Sequence, residues 1–324
     1  MYTKGNLNKG VLIMRTLTKT ELDNILELHK KWLLGEDGGV KADLSGADLS
    51  NTDLRNVNLS YARLFKANLS NTNLSLSNLS NANLYNANLN GTDLTGISLR
   101  CANLSHVYLR NVDLSYANLR HAKLSYANLC DADLHSANLC CANLYNANLY
   151  RADLHYTDLR GADLRYTDLR HANLIEANLV NANLGFSSLC NANLKEVNLM
   201  GASLIEANLS NANLSYAYLM NANLNFSNLS DANLSHSSLR WVNWYGVKGI
   251  KVYVVGLQSS EENARLTYIP SLDIATTGCW QDDWGNTKKY IYDEYDKGTK
   301  KRKEYDLAIK CIEGQIELAN IDLN

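Results

Sequence analysis

Proline is almost missing from these 324 residues, with one in the whole chain, and phenylalanine occurs only three times. Leucine and asparagine stand in large excess instead, a bias unlike that of a disordered chain. No excess of charge exists in either sign: 31 Lys and Arg face 33 Asp and Glu. That balance argues against a nucleic-acid binder built on a basic surface. It argues equally against a strongly acidic surface that imitates DNA. No stretch approaches the roughly 18 apolar residues that span a bilayer, and residues 11–14 are too short for a signal-peptide core. The seven cysteines are odd in number and show no paired spacing beyond Cys140 and Cys141. Reduced thiols and a cytoplasmic location are therefore expected. A phosphate-cradling glycine loop, a C-x-x-C pair and a nucleophile elbow are also missing, so neither catalysis nor a cofactor is expected.

What is present is a repeat. Leucine occupies every fifth position from Leu44 to Leu239, forty in phase without an insertion, and Trp244 takes the next place. Two residues before each leucine stands a small residue: 26 Ala, 5 Thr, 4 Ser, 4 Val and Ile97. Asn (22) or Asp (10) usually precedes the leucine directly. Ala82-Asn83-Leu84 and Ala142-Asn143-Leu144 show the pattern cleanly.

Period five suits neither common template. On an α-helix, steps of five turn about 140°, so the leucines would spiral around every side. In a straight strand an odd step flips the face each time. A short strand followed by a corner fits: Ala82 and Leu84 point inward, Asn83 points outward, and two residues turn the chain. The period alone does not say how many corners close a coil. Residues 42–241 resemble the pentapeptide-repeat family, whose repeats form a four-sided, right-handed β-helix. That resemblance implies an all-β, quadrilateral β-helix of about ten coils, roughly 48 Å long at about 4.8 Å per coil. The narrow interior accounts for alanine, with Ile97, Val57, Val107, Val112 and Val197 as oversized guests.

An open β-helix exposes unpaired edges, so caps are expected at both ends. Residues 1–17 read as a loosely ordered extension and residues 18–41 as an α-helical cap. Thr18 and Glu21 make a capping box. Leu22, Ile25, Leu26, His29 and Leu33 form an apolar stripe at helical spacing. His29 reads as a packed cap residue rather than a ligand. The rod spans residues 42–245, with Trp241, Trp244 and Tyr245 expected over its last coil. Residues 246–324 read as a small α/β domain, with strands over 250–256, 266–269 and 274–280. A helix is expected over 299–318, with Tyr305, Leu307, Ile309 and Ile312 at its apolar positions. Gly278-Cys279-Trp280 followed by a lysine- and tyrosine-rich helix is similar to the C-terminal domain of some pentapeptide-repeat proteins of Gram-positive bacteria and their phages.

Columns of residues twenty apart can still build sites. Cys101, His121 and Cys141 share one column, but they spread over about 10 Å. Metal ligands must converge within about 2.3 Å of the ion, so no metal is expected. His135 and His155 read as two solvated histidines. Residues 151–170 carry a belt of Arg and Asp between Asn-rich coils. Interfaces favour Tyr, Trp and Arg anchors over small neutral polar groups. Tyr145, Tyr150, Arg151, Arg165, Tyr166 and Arg170 are therefore the candidate docking residues. Arg165 is expected above Tyr145, and Arg170 above Tyr150. The opposing expectation is that these arginines merely pair with Asp163 and Asp168.

The reading that follows is a non-enzymatic rod that binds an unidentified protein partner, with neither nucleic acid nor membrane bound directly. The alternative comes from the resemblance: members that confer fluoroquinolone resistance are thought to act at DNA gyrase as acidic, DNA-like rods. This chain departs from them. Residues 42–241 hold 15 acidic against 13 basic residues, and no loop interrupts the repeats.

Overall fold

Five residues per repeat bring five backbone N–H groups, and a repeat with Asn or Asp before its leucine finds a partner for each. In the computed structural model, which describes residues 14–257 and 265–321, the repeats wind into a four-sided prism. Each bridge joins a residue in parallel to the one twenty further on, from Asp43 with Arg63 to Asn228 with Lys248. Leu44 donates to the Arg63 carbonyl at 2.8 Å, Gly46 to Phe65 at 2.8 Å, and Arg63 to Ala42 at 3.0 Å. Three N–H groups of a repeat thus bind adjacent coils. A fourth closes the corner, from Ala47 to the Leu44 carbonyl at 3.1 Å. The fifth is met by a side chain: Asp43 Oδ1 accepts from the Ser45 N–H at 3.1 Å. Asn143 Oδ1 does the same for Tyr145 at 3.0 Å. This local turn is what Asn and Asp supply before the leucine. Tyr108 has no such acceptor, and there Asn90 of the preceding coil takes the Arg110 N–H at 3.0 Å.

The second corner residue has a left-handed backbone in repeat after repeat: φ is 58° at Asn51, 60° at Tyr166 and 57° at Trp241. A turn closed by this bond with positive φ at its third residue favours Gly or Asn there. Here Tyr, Phe, Glu and Leu76 also hold the place. The sides between corners are shorter than the spacing implied, with one bridged residue each.

All forty leucines are buried, none more than 2% exposed. Burying one such side chain stabilises by about 1.5–3 kcal/mol, so four per coil dominate. Where Thr or Ser replaces the inner alanine, its hydroxyl is satisfied locally. Thr72 donates to the Leu49 carbonyl at 2.8 Å, and Ser187 to that of Leu184 at 2.6 Å.

Helix α1 (Lys19–Leu34) closes the first end. Thr18 and Glu21 form the capping box, and Gly35 ends the helix at φ 70°. Leu22 and His29 are buried, while Ile25 and Leu26 pack partly on the first coil. The expected loose extension is corrected for residues 15–17. Strand β1 (Arg15–Thr16) pairs in parallel with β2 (Ala47–Asp48), covering backbone that the first coil leaves open. Leu17 packs against the core. Residues 1–13 lie outside the described residues.

The rod runs slightly past residue 245, to the bridge at Lys248. Trp244 keeps the leucine position inside. Trp241 and Tyr245 do not cover the last coil: they are 41% and 69% exposed. Trp241 sits at a left-handed corner, which turns it outward. Cover comes instead from Ile269, Leu272 and Ile274 of the C-terminal domain. That domain is a four-stranded antiparallel meander of β3 (Tyr253–Gly256), β4 (Arg265–Ile269), β5 (Ile274–Thr277) and β6 (Trp280–Asp282). The single strand expected over 274–280 is split, because Gly278 turns the chain at φ 53°. Helices α2 (Trp284–Glu294) and α3 (Lys300–Ile321) complete it, α2 being unforeseen. Tyr305, Ile309 and Ile312 are buried as expected, but Leu307 is 69% exposed and Ala308 takes its inward place.

Candidate functional site

Every corner of a coil sets two side chains on one of four edges, and a residue meets its counterpart about 4.8 Å along the rod. One edge carries rings from coil to coil. Centroids are 5.8 Å apart for Phe65 and Tyr85, 5.2 Å for Tyr85 and His106 and 4.9 Å for His106 and Tyr126. The series continues at 5.8 Å to Tyr145, 5.4 Å to Tyr166 and 4.9 Å to Phe186. Phe65, Tyr126, Tyr166 and Phe186 are each between 38% and 47% exposed. The ladder alternates between the two corner positions, so its steps are 19, 20 or 21 residues. A search in strict columns of twenty finds only fragments of it.

Three of the six candidate residues belong to this edge. Arg165 lies over the Tyr145 ring at 5.6 Å, and Tyr166 meets Tyr145 edge-on. The other three lie on the next edge. Arg170 covers Tyr150 at 5.5 Å, and Arg151 reaches Asp131 at 3.4 Å. The two edges bound a single face, along which Asn148 and Asp168 point outward. Tyr108, 49% exposed, stands on the same face. Tyr156 and Arg160 fall on the remaining edges and take no part in it.

The arginines also pair with acids. Arg165 forks Asp163 at 2.8 and 2.7 Å, and Arg170 forks Asp168 at 2.8 and 2.6 Å. Hydrogen bonds from Arg165 hold the Asp163 carboxyl below its ordinary value, with burial opposing. At Asp168 burial is the larger influence and pushes upward, but the bonds from Arg170 and Asp168's own turn outweigh it. Each guanidinium is thereby held over its tyrosine ring. Such exposed pairs add little to stability, yet they preorganise the surface.

A second face carries the column Asp93, Asp113, Asp133 and Asp153. His135 and His155 stand beside it, stacked with centroids 5.0 Å apart. They are not freely solvated as expected: Nδ1 of each meets its own aspartate, Asp133 at 2.8 Å and Asp153 at 2.7 Å. Cys101, His121 and Cys141 occupy left-handed corners of one edge. Among the described residues no group of three or more His, Cys, Asp and Glu side chains could hold a metal ion. Nor is any helix there long and apolar enough to cross a membrane.

The sequence pattern that defines pentapeptide repeats matches residues 40–75, 77–115, 113–149, 127–165, 167–204 and 202–240. Among solved structures, the chain is similar to HetL, a pentapeptide repeat protein involved in heterocyst differentiation regulation in Nostoc sp. strain PCC 7120. Identity is 34%, over 72% of this chain and 98% of that one, with a TM-score of 0.45. It is also similar to QnrB1, a plasmid-mediated fluoroquinolone resistance protein, at 19% identity over 62% and 88% of the two chains, with a TM-score of 0.33. No curated protein matches the chain by sequence.

Proposed function

The chain belongs to the pentapeptide-repeat family, and from that membership we propose that it is a non-enzymatic rod that docks a protein partner along one face. The ring ladder from Phe65 to Phe186 is the observation that carries this reading. Asn and Ser predominate on the other faces, although Tyr116 and Tyr156 stand out on a third edge in a shorter ring series, and small polar groups lose good water contacts on binding. Half-exposed rings give up little and offer large rigid contact area. The ladder supplies length, and Arg165, Tyr166, Arg170 and Tyr150 supply a broad centre. Arg165 and Arg170 are already held in place, so docking costs little side-chain entropy.

The acidic column is the feature that a topoisomerase-directed, DNA-like reading would use. Its charges repeat about every 4.8 Å, whereas duplex DNA carries one per roughly 1.7 Å. Two of the four carboxylates are also bonded to histidines. The column is therefore too dilute to imitate a duplex, and the docking reading is preferred.

The test compares capture of proteins from the source organism's lysate by the whole chain and by a variant carrying Tyr145→Ser, Arg165→Ser and Tyr166→Ser. A partner retained by the first and lost by the second, at equal melting temperature, supports the reading. Equal retention moves the interface off this edge. Inhibition of gyrase supercoiling by both proteins would favour the acidic column.

A further inference from the structure

On another edge the rod has a notch. It measures about 440 Å³ and is lined by Arg120, Cys140, Cys141, Arg160, Gly161 and Asn181, among others. It exists because position 161 has no side chain: a methyl group there would lie 3.6 Å from the Cys141 sulfur. Arg120 stands one coil before Cys140, and Arg160 one coil after. The two sulfurs are 3.5 Å apart. Cys141 is exposed and Cys140 only partly so. Arg160 is forked to Asp158 at 2.8 and 2.7 Å. Among the described residues Arg120 has no ion pair of its own. The notch thus joins an exposed thiol, a second sulfur beside it and a guanidinium with no direct ion pair, Asp158 lying only within its longer electrostatic reach.

We propose that Cys141 forms a mixed disulfide with a low-molecular-weight disulfide that carries carboxylates, seated by Arg120 and Arg160. The Cys141 thiolate attacks one sulfur of the incoming disulfide. A bond forms between Cys141 Sγ and that sulfur, the original S–S bond breaks, and the other half leaves as a thiolate that takes a proton from water. The proton lost by Cys141 also goes to water. The incoming disulfide is the oxidant, so no further reagent is needed.

The surroundings fit this step. The thiolate is the attacking species, and the Cys141 sulfur is within electrostatic reach of Arg160. Arg120 and Arg160 receive the carboxylates of the arriving molecule and raise its local concentration. Burial, then the bond and charge of the Cys141 sulfur, keep the Cys140 thiol above its ordinary value. Cys140 therefore stays protonated, can donate to the sulfur beside it, and does not attack the mixed disulfide to release the adduct.

The experiment uses the full chain with Cys279→Ser and Cys311→Ser, which removes the two other exposed thiols. It is treated with oxidised glutathione or with neutral 2-hydroxyethyl disulfide, and adduct formation is followed by intact mass and peptide mapping. Glutathione should appear on Cys141, faster than the neutral reagent adds there. Arg120→Ala should slow the glutathione reaction about fivefold, the effect of one charge near 4 Å in water, and leave the neutral one unchanged. Gly161→Asn puts the residue most suited to this left-handed corner into the notch, and should slow both reagents. Adduct on Cys101, Cys130 or Cys190 instead of Cys141 would overturn the proposal. So would an Arg120→Ala variant that treats the two reagents as the parent does.

Discussion

The side-chain amide of Gln281 stands against Leu239 where the backbone amide of an eleventh coil would stand. Its Oε1 accepts from the Leu239 N–H at 2.6 Å, and its Nε2 donates to the Ser237 carbonyl at 2.6 Å. One coil earlier the same two bonds are made by backbone: Leu219 donates to the Ser238 carbonyl, and Ser238 donates to that of Ala217. One carboxamide therefore replaces the N–H and C=O of one backbone residue. Arg240 adds a bond to the Cys279 carbonyl at 3.0 Å.

Gln281→Ala should loosen this end. It leaves a donor and an acceptor of the last coil without partners, at about 1–3 kcal/mol each. The expected result is faster hydrogen exchange at the Leu239 amide, with the amide of Leu144 unchanged. Unchanged protection at Leu239 would mean that Ile269, Leu272 and Ile274 seal the end unaided.

The left-handed corners lead to a second expectation. Leu76 has φ 59° and is 66% exposed, so it bears a strained backbone while burying little. A left-handed backbone costs a residue with a Cβ roughly 1–2 kcal/mol. Asn holds the equivalent place at Asn56 and Asn81. Leu76→Asn should therefore raise the melting temperature, by an amount worth about 1 kcal/mol. A fall would show that the leucine contact with the Gly96 corner outweighs backbone strain.

Much of the architecture was legible because one contact repeats. Leu84 and Ala82 point inward for the same reason as Leu144 and Ala142, so forty copies of a weak signal agree. The corner backbone was not legible. Left-handed φ is normally read from Gly or Asn, and Tyr166, Phe186 and Glu176 disguise it. Stacking of Arg165 on Tyr145 followed from counting by twenty. The whole ladder did not, since His106 to Tyr126 and Tyr126 to Tyr145 are steps of different length. At the C-terminal end Trp241 and Tyr245 looked like cover because they are large and apolar. Their direction was set by their places in the repeat, corner positions that face outward, and only Trp244 kept a leucine's place.

The N-terminal cap should be sensitive to acid through His29. The ring is fully buried, lies stacked at 5.5 Å on Trp32, and its Nδ1 accepts the Ala42 N–H at 3.2 Å. That bond requires a neutral imidazole. Burial accordingly holds its pKa below the ordinary value; the Ser60 backbone favours the charged ring but is outweighed, and Lys41 opposes a second positive charge. In the unfolded chain the ring titrates near its reference value of about 6.5. Below that pH the unfolded state binds a proton that the folded state refuses, so stability falls as pH drops through about 6.5 and recovers above it. The loss continues down to the lowered pKa of the folded form. Melting temperatures at about pH 7.5 and about pH 5 should therefore differ more for the parent than for His29→Gln, which cannot take up the proton. An identical acid shift in both proteins would assign the sensitivity to other groups and leave His29 a packing residue alone.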